Sequence, residues 1–291
     1  MVRIRLLVCA VVGALLGLAT PAVASASSAN PIEAHFMADG PSGVGTDRVT
    51  VRGGGEYQLF FPADLDDGRH PIVTWGNGTD AVPDQYSGLL RHLASWGFVV
   101  IASTSKNTGT GAEILAGARY LVERDGDPGS RFHDRLDTDH IAAVGHSQGA
   151  GGSVNAAVRS GGLIGTTVPI ALPNQLVDVI AGDKMYDVTK LTGTVFYLGG
   201  AGDVLIAPPI ALRGYYDATR VPAALAVLRN ADHNTVQGTG GRFLGYLTAW
   251  LRFQLTDDRY AAGAFTGTSP EITANPAWQD QALKGLERGR D

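Results

Sequence analysis

From about residue 44 onward, short apolar runs alternate with segments that place apolar residues at helical spacing. The apolar runs are PIVTW, FVVIAST, HIAAVG, VPIAL, TVFYLGG and AALAVLRN. Strands that are apolar throughout and that alternate with helices belong to a mostly parallel sheet covered by helices on both faces. The pattern therefore predicts an α/β fold.

The two ends of this pattern are less regular. The segment RVTVRGGGEYQLFFPAD contains two β-rich runs around a glycine cluster, which predicts a hairpin at one edge of the sheet. We interpret the segment before it as a loop and the polar stretch from about residue 266 as a surface tail. No change of composition divides the rest, so we predict a single domain over residues 27–291, long enough to bury a sizeable core.

The first residues have the pattern of a secretory signal peptide. Two arginines precede an apolar run from Leu6 to Ala19, and the small residues that follow fit cleavage after Ala24 or Ala26. The apolar run is short for a membrane span. We therefore predict a signal peptide over residues 1–26 and a secreted protein without a stable membrane anchor.

Cysteine usage and charge limit the chemistry of the mature chain. Its only cysteine, Cys9, lies within the predicted signal peptide, so neither a disulfide nor thiol chemistry is available. The chain has 23 Lys and Arg against 28 Asp and Glu, and loss of Arg3 and Arg5 takes the formal charge from −5 to −7. An acidic chain argues against a nucleic-acid partner. We expect a monomer.

Ser147 stands in a G-x-S-x-G motif between the apolar run HIAAVG and a helix of small residues. A serine at a sharp strand-to-helix turn has a strained backbone and projects its hydroxyl from the top of the sheet. In parallel sheets, sites form beyond the carboxyl ends of the strands. The context predicts a nucleophile; the alternative is a glycine-rich turn in which Ser147 only caps the helix.

His233 is the only histidine that follows Ser147. A serine hydroxyl needs a base to take its proton, and in this architecture the histidine comes last in chain order. His233 lies in LRNADHNT, after the last strand, and we predict that it is the general base. Most of the other six histidines we interpret as solvated, with His146 pointing away from the catalytic side of its turn.

Asp203 follows the apolar run TVFYLGG, in the place where the acid of a triad is expected. A carboxylate there would orient the imidazole and stabilise its charged form. Four other aspartates are alternatives: three in a polar stretch after another strand and one beside His233, where a turn role fits better. They are Asp178, Asp183, Asp187 and Asp232.

The oxyanion of an acyl-transfer intermediate needs two donors, which are commonly backbone N–H groups. We predict that one of them is the backbone N–H of Gln148, the residue directly after the nucleophile. We predict that the other is the backbone N–H of Thr79 in the turn WGNGTDA, with that of Gly78 as the next choice. The alternative is that this turn only connects a strand to a helix and has no role in the oxyanion hole. Asn77 also begins a glycosylation pattern, which we interpret as a coincidence because a glycan there would obstruct the site.

Several segments together resemble the bacterial cutinase and polyester-hydrolase family of α/β-hydrolases, with its dienelactone-hydrolase-like and chlorophyllase-like lipases. They are SWGFVVIAS, GHSQGAGGS, GDVLIAP, NADHN and WLRFQLTDDRYAAGAF. The resemblance implies an α/β-hydrolase fold, and it places the acid at Asp203 and the base at His233. No long insertion interrupts the pattern, so we expect no large lid and an open cleft.

The chain departs from that family at specific positions. Thr79 stands where these enzymes often have an aromatic residue, Gln148 stands where many have Met, and ALPNQ replaces a segment that often holds tryptophan. The C-terminal disulfide of many members is absent. These departures leave an ester hydrolase as the interpretation and weaken the case for a polyester substrate.

The sequence thus predicts a secreted carboxylic ester hydrolase that forms an acyl-enzyme and needs no metal or cofactor. No H-E-x-x-H, C-x-x-C, P-loop or G-x-G-x-x-G pattern occurs. An acyltransferase that uses the same triad is an alternative, because it needs the same residues. A non-catalytic binding module on this fold is a further alternative, and it would require a missing catalytic residue.

Overall fold

A computed structural model describes residues 29–53, 55–66, 68–175 and 185–287. The predicted signal peptide lies outside the described residues, as do the alternative acid candidates Asp178 and Asp183. In the part of the chain that is described, no helix has the length and apolar character needed to cross a membrane.

The described residues form a central sheet of nine strands. The strands are β1 (Val44–Val51), β2 (Gly55–Pro62), β3 (His70–Gly76), β4 (Val99–Ser103), β5 (Leu136–His146), β6 (Thr166–Ile170), β7 (Thr194–Gly200), β8 (Ala223–Leu228) and β9 (Trp278–Lys284). Their spatial order is β1-β2-β4-β3-β5-β6-β7-β8-β9. Strands β3 to β8 run parallel, the β1–β2 hairpin joins β4 antiparallel, and β9 joins β8 antiparallel. The predicted mostly parallel sheet with an edge hairpin is confirmed.

Helices cover both faces of this sheet. They are α1 (Pro31–Met37), α2 (Ser87–Ser95), α3 (Ala112–Asp125), α4 (Gln148–Arg159), α5 (Pro209–Ala218), α6 (Phe243–Thr256), α7 (Arg259–Ala262) and α8 (Glu271–Ala274), with 3-10 turns at Pro83–Tyr86 and Val188–Lys190. Helices α1, α2 and α6 pack on one face, and α3, α4 and α5 pack on the other. Successive strand residues such as Ile72 and Val73 enter opposite cores, as the two-residue period of a strand requires.

At both ends of the described chain, the structure contains elements that the sequence did not predict. The segment interpreted as a loop forms helix α1, and the segment interpreted as a surface tail adds β9 to the sheet. The carboxylate of Glu33, in α1, is buried and accepts hydrogen bonds from Arg242, Asn275 and the indole of Trp278. A buried carboxylate requires such donors, so these contacts join α1 to the start of α6 and to the segment that leads into β9.

Candidate active site

Ser147 lies at the sharp turn between β5 and α4. Its φ of 53° and ψ of −124° place it in a region that non-glycine residues rarely adopt, which is the strain expected of a nucleophile at this turn. Gly145 and Gly149 are required to be glycine, because a side chain at either position would collide with the backbone. A Cβ at Gly145 would lie 2.1 Å from the carbonyl oxygen of Gly149, and one at Gly149 would lie 2.2 Å from that of Gly76. The turn can therefore form only with glycine on both sides of Ser147.

The loop after β8 brings His233 to this serine. Nε2 of His233 lies 2.8 Å from Ser147 Oγ, and Nδ1 lies 2.5 Å from Oδ2 of Asp203. Because the carboxylate accepts hydrogen bonds, Nδ1 carries the proton, which leaves Nε2 free to accept from the serine hydroxyl. The three side chains form one continuous hydrogen-bonded row, with the imidazole in the tautomer that a general base needs.

Asp203 is buried in the loop after β7, and backbone groups hold it in place. Its second carboxylate oxygen accepts N–H groups from Ile206 and Ala207, at 3.2 and 3.1 Å. Burial alone would raise the pKa of Asp203, but the hydrogen bonds from His233 and Ala207 outweigh it and leave the pKa below its usual value. The carboxylate therefore remains charged beside the imidazole.

The two described alternatives to Asp203 serve local turns. Asp187 accepts the backbone N–H and the hydroxyl of Thr189. Asp232 accepts the backbone N–H of the residue two positions on and the hydroxyl of Thr235. Among the described residues, Asp203 is the carboxylate that contacts the His233 side chain.

The turn after β3 lies against the serine, where the second oxyanion donor is predicted. A Cβ built on Gly78 would be 3.5 Å from the Cβ of Ser147. The Gly78 N–H already donates to the hydroxyl of Tyr86 at 3.1 Å, whereas the described residues offer no acceptor to the Thr79 N–H. Gln148 begins α4, and its side-chain oxygen accepts from the Thr108 N–H at 3.0 Å. Of the two candidates in this turn, the Gly78 N–H is therefore already engaged, and the assignment of Thr79 and Gln148 as the donors stays a prediction.

The side chain of Asn77 joins β3 to the segment around the end of β4. Its side chain is fully buried, accepts from the Trp75 indole, and donates to the carbonyl oxygens of Ser103 and Ser105. A side chain enclosed in this way is not accessible to glycosylation in the folded protein, which agrees with the interpretation of its motif as a coincidence.

The interpretation of most histidines as solvated is wrong for three of them. His70, His92 and His146 are all buried. Nε2 of His146 lies 2.8 Å from the carbonyl oxygen of His233. Burial, followed by the neighbouring His233, lowers the pKa of His146 to about 4. Its position between a buried strand and a buried helix start was the sequence signal for burial.

An apolar surface borders the acid loop. Val204 and Leu205, directly after Asp203, are 68 and 81% exposed, and Ile210, at the start of α5, is 83% exposed. Large apolar side chains that are this exposed are available for contact with another apolar body. Elsewhere in the described chain, His, Cys, Asp and Glu side chains do not gather in threes as a metal site would require.

Comparison with known proteins connects this geometry to a family. The model of a family described as PET hydrolase-like matches residues 19–280. The chain is 27% identical over 217 residues to a bis(hydroxyethyl) terephthalate hydrolase of Streptomyces coelicolor, covering 72% of this chain and 65% of that protein. It is 25% identical over 243 residues to cutinase est2 of Thermobifida alba, covering 79% and 76%. It is 26% identical over 245 residues to cutinase cut1 of Thermobifida fusca, covering 79% and 72%.

Proposed function

The chain belongs to the PET hydrolase-like family, and on that premise we propose that it is a secreted carboxylic ester hydrolase with a Ser-His-Asp triad. One observation carries the proposal: His233 lies within hydrogen-bonding distance of both Ser147 and Asp203. The mature protein would be a single catalytic domain that follows a signal peptide over residues 1–26.

In the first half of the proposed reaction, Ser147 Oγ attacks the carbonyl carbon of the ester while Nε2 of His233 takes the hydroxyl proton. The charge of Asp203 stabilises the imidazolium that results. The negative oxygen of the tetrahedral intermediate accepts hydrogen bonds from the backbone N–H groups of Thr79 and Gln148. The C–O bond to the leaving alcohol then breaks, and His233 gives its proton to that alcohol.

In the second half, a water molecule attacks the acyl-enzyme. His233 takes a proton from the water, and a second tetrahedral intermediate forms on the same oxyanion donors. When the bond to Ser147 breaks, the proton returns to Oγ and the carboxylic acid is released. The enzyme is regenerated without any group besides those of the chain and water.

The surface beside the triad supports a bulky apolar ester as the substrate. Val204, Leu205 and Ile210 are exposed apolar side chains within seven residues of Asp203 in the chain, and contact with them would favour an apolar ester. The similarity to a bis(hydroxyethyl) terephthalate hydrolase and to cutinases supports the same class. A polyester is the polymeric form of such a substrate.

The direct test combines a substrate series with product analysis. The purified protein is assayed on p-nitrophenyl esters of increasing acyl length and on one polyester film, with and without an added acceptor alcohol. We expect free carboxylic acid as the main product in both conditions. Formation of a new ester in place of the acid would replace hydrolysis with acyl transfer, and no turnover of any ester would overturn the proposal.

Secretion is tested separately by expressing the full chain in a host with a secretory pathway. We expect the protein in the medium, with an N-terminus at Ser25 or Ser27. Retention inside the cell with Met1 intact would contradict this part of the proposal.

A further inference from the structure

A second row of hydrogen bonds runs beside the proposed triad. Nε2 of His146 lies 2.8 Å from the backbone carbonyl oxygen of His233, and its Nδ1 lies 2.9 Å from the hydroxyl of Tyr86. That hydroxyl lies 3.1 Å from the backbone nitrogen of Gly78, the residue before Thr79. The row therefore connects the segment that carries the base to the turn that carries the proposed oxyanion donor.

The partners determine where the protons of this row lie. A carbonyl oxygen can only accept, so Nε2 of His146 carries a proton and donates it to His233. In a neutral imidazole Nδ1 is then an acceptor, and the Tyr86 hydroxyl donates to it. The Tyr86 oxygen accepts from the Gly78 N–H at 3.1 Å. All groups in the row are thus paired with His146 neutral.

Burial keeps His146 neutral next to the base. The side chains of His146 and Tyr86 are 1 and 0% exposed, and desolvation disfavours a charged imidazole at such a position. The ring centres of His146 and His233 are 4.8 Å apart. A neutral ring at this distance adds no positive charge beside the imidazolium that His233 would form during catalysis.

His146 also connects two segments whose relative position the proposed triad depends on. It directly precedes Ser147 at the end of β5, whereas His233 lies in the loop after β8. We propose that His146 and Tyr86 are positioning residues, whose hydrogen bonds hold the backbone of the base and the Thr79 turn in fixed places around Ser147. This inference rests on the proposed esterase function. It assigns the two residues no contact with the substrate.

Two substitutions separate the parts of this row. Tyr86→Phe removes only the hydroxyl, while the ring keeps its packing on Trp75, 4.9 Å away between centroids. We expect kcat to fall about 10-fold with KM within about twofold, because small displacements of catalytic groups affect the chemical step most. His146→Leu removes both hydrogen bonds, and we expect a fall in kcat of about 100-fold. His146→Gln retains an N–H that can reach the His233 carbonyl, so its kcat should lie between those of His146→Leu and the unmodified protein.

Two buried residues elsewhere provide matched controls. His92 is a buried histidine whose Nε2 lies 2.9 Å from the carbonyl oxygen of Phe36, and Tyr197 is a buried tyrosine whose hydroxyl bonds to Thr219. His92→Leu and Tyr197→Phe make the same chemical changes away from the triad. We expect both to keep kcat per active site within about twofold. Active sites are counted by titration with a fluorophosphonate, so that loss of folded protein does not alter kcat.

The outcomes distinguish this inference from the proposed function. A loss of kcat in Tyr86→Phe, with the controls unaffected, supports the positioning role. If Tyr86→Phe and His146→Gln retain kcat per active site within twofold, or lose only thermal stability, the positioning role is wrong. Ser147→Ala is measured in parallel: an inactive Ser147→Ala with a fully active Tyr86→Phe overturns only this inference, whereas an active Ser147→Ala overturns the proposed function as well. If His146→Leu does not fold, Tyr86→Phe decides.

Discussion

The carboxylate of Asp203 meets the imidazole of His233 with its Oδ2 2.5 Å from Nδ1, while its Oδ1 accepts backbone N–H groups from Ile206 and Ala207. The backbone contacts fix which oxygen faces the histidine. Because the acid cannot rotate without losing them, the acid loop itself determines the orientation of the imidazole toward Ser147.

Replacement of Asp203 by asparagine should therefore reverse one hydrogen bond. The Asn oxygen would keep the backbone N–H groups of Ile206 and Ala207, which turns its NH2 group toward Nδ1 and favours the wrong tautomer. We expect kcat of Asp203→Asn to fall by about 10³- to 10⁴-fold, measured on p-nitrophenyl butyrate. Asp232→Asn, next to the histidine but bonded to its own turn, should stay within about threefold. Equal activities in the two variants would contradict the assignment of the acid.

Gly149 should not tolerate a side chain. Its Cβ would lie 2.2 Å from the carbonyl oxygen of Gly76, so Gly149→Ala must displace backbone at the turn. We expect a loss of about 3 kcal/mol in the free energy of unfolding by urea, together with most of the activity. Gly214→Ala is the matched control, because a Cβ within α5 meets nothing within 4 Å. It should raise the free energy of unfolding by about 0.5–1 kcal/mol. A Gly149→Ala variant as stable as Gly214→Ala would disprove the close approach.

The buried His146 should make the protein less stable in mild acid. Its pKa of about 4 in the folded state lies below the value of 6.5 that is usual for a histidine, so between these pH values the unfolded chain binds more protons. The free energy of unfolding should be highest above pH 6.5 and should fall, by up to about 3 kcal/mol from this group, as the pH falls toward 4. In His146→Gln the slope of the free energy of unfolding against pH should be smaller by the equivalent of one proton. The contribution of His92, whose pKa is also lowered by burial, should remain in both proteins. Urea unfolding between pH 4 and 7.5 measures both slopes; identical slopes would contradict the prediction.

The apolar surface beside the acid loop should matter for solid substrates more than for small ones. Leu205 is 81% exposed, so Leu205→Ser changes little in the fold and removes apolar contact area. We expect the rate on a polyester film to fall about tenfold, with p-nitrophenyl acetate hydrolysis unchanged within about twofold. Met37→Ser, a partly exposed apolar residue on α1, should leave both rates unchanged. Equal losses on film and soluble ester would show that the surface has no role in substrate contact.

The sequence predicted the central sheet because its signals are local. Each of the strands β3 to β8 is an apolar run that can be recognised without knowing its neighbours, and the glycine cluster after Val51 marks the β1–β2 hairpin. The predicted α/β-hydrolase fold and the resemblance to polyester hydrolases are confirmed by the family match.

The chain ends were predicted less well because their partners are distant. Helix α1 is short, and its place in the fold depends on α6 and on the contacts of Glu33 with residues more than two hundred positions away. The polar strand β9 becomes recognisable only through its pairing with β8. Neither dependence leaves a local periodic pattern in the sequence.

For the site, chain order was enough to select Ser147, Asp203 and His233, and the structure places the three side chains within hydrogen-bonding distance. Their catalytic roles stay a prediction. The part that sequence reasoning missed is the pair of His146 and Tyr86. Those two residues are 60 positions apart, and their connection to the His233 loop exists only after folding.

Ser147→Ala tests the central claim most directly, with hydrolysis of p-nitrophenyl butyrate as the measurement. Ser153→Ala is the matched control, because Ser153 lies on α4, the helix that follows Ser147, and its hydroxyl donates to the carbonyl oxygen of Ala150. We predict that Ser147→Ala loses kcat by at least about 10³-fold while Ser153→Ala retains it. Ester hydrolysis by purified Ser147→Ala at the rate of the unmodified protein would contradict the account.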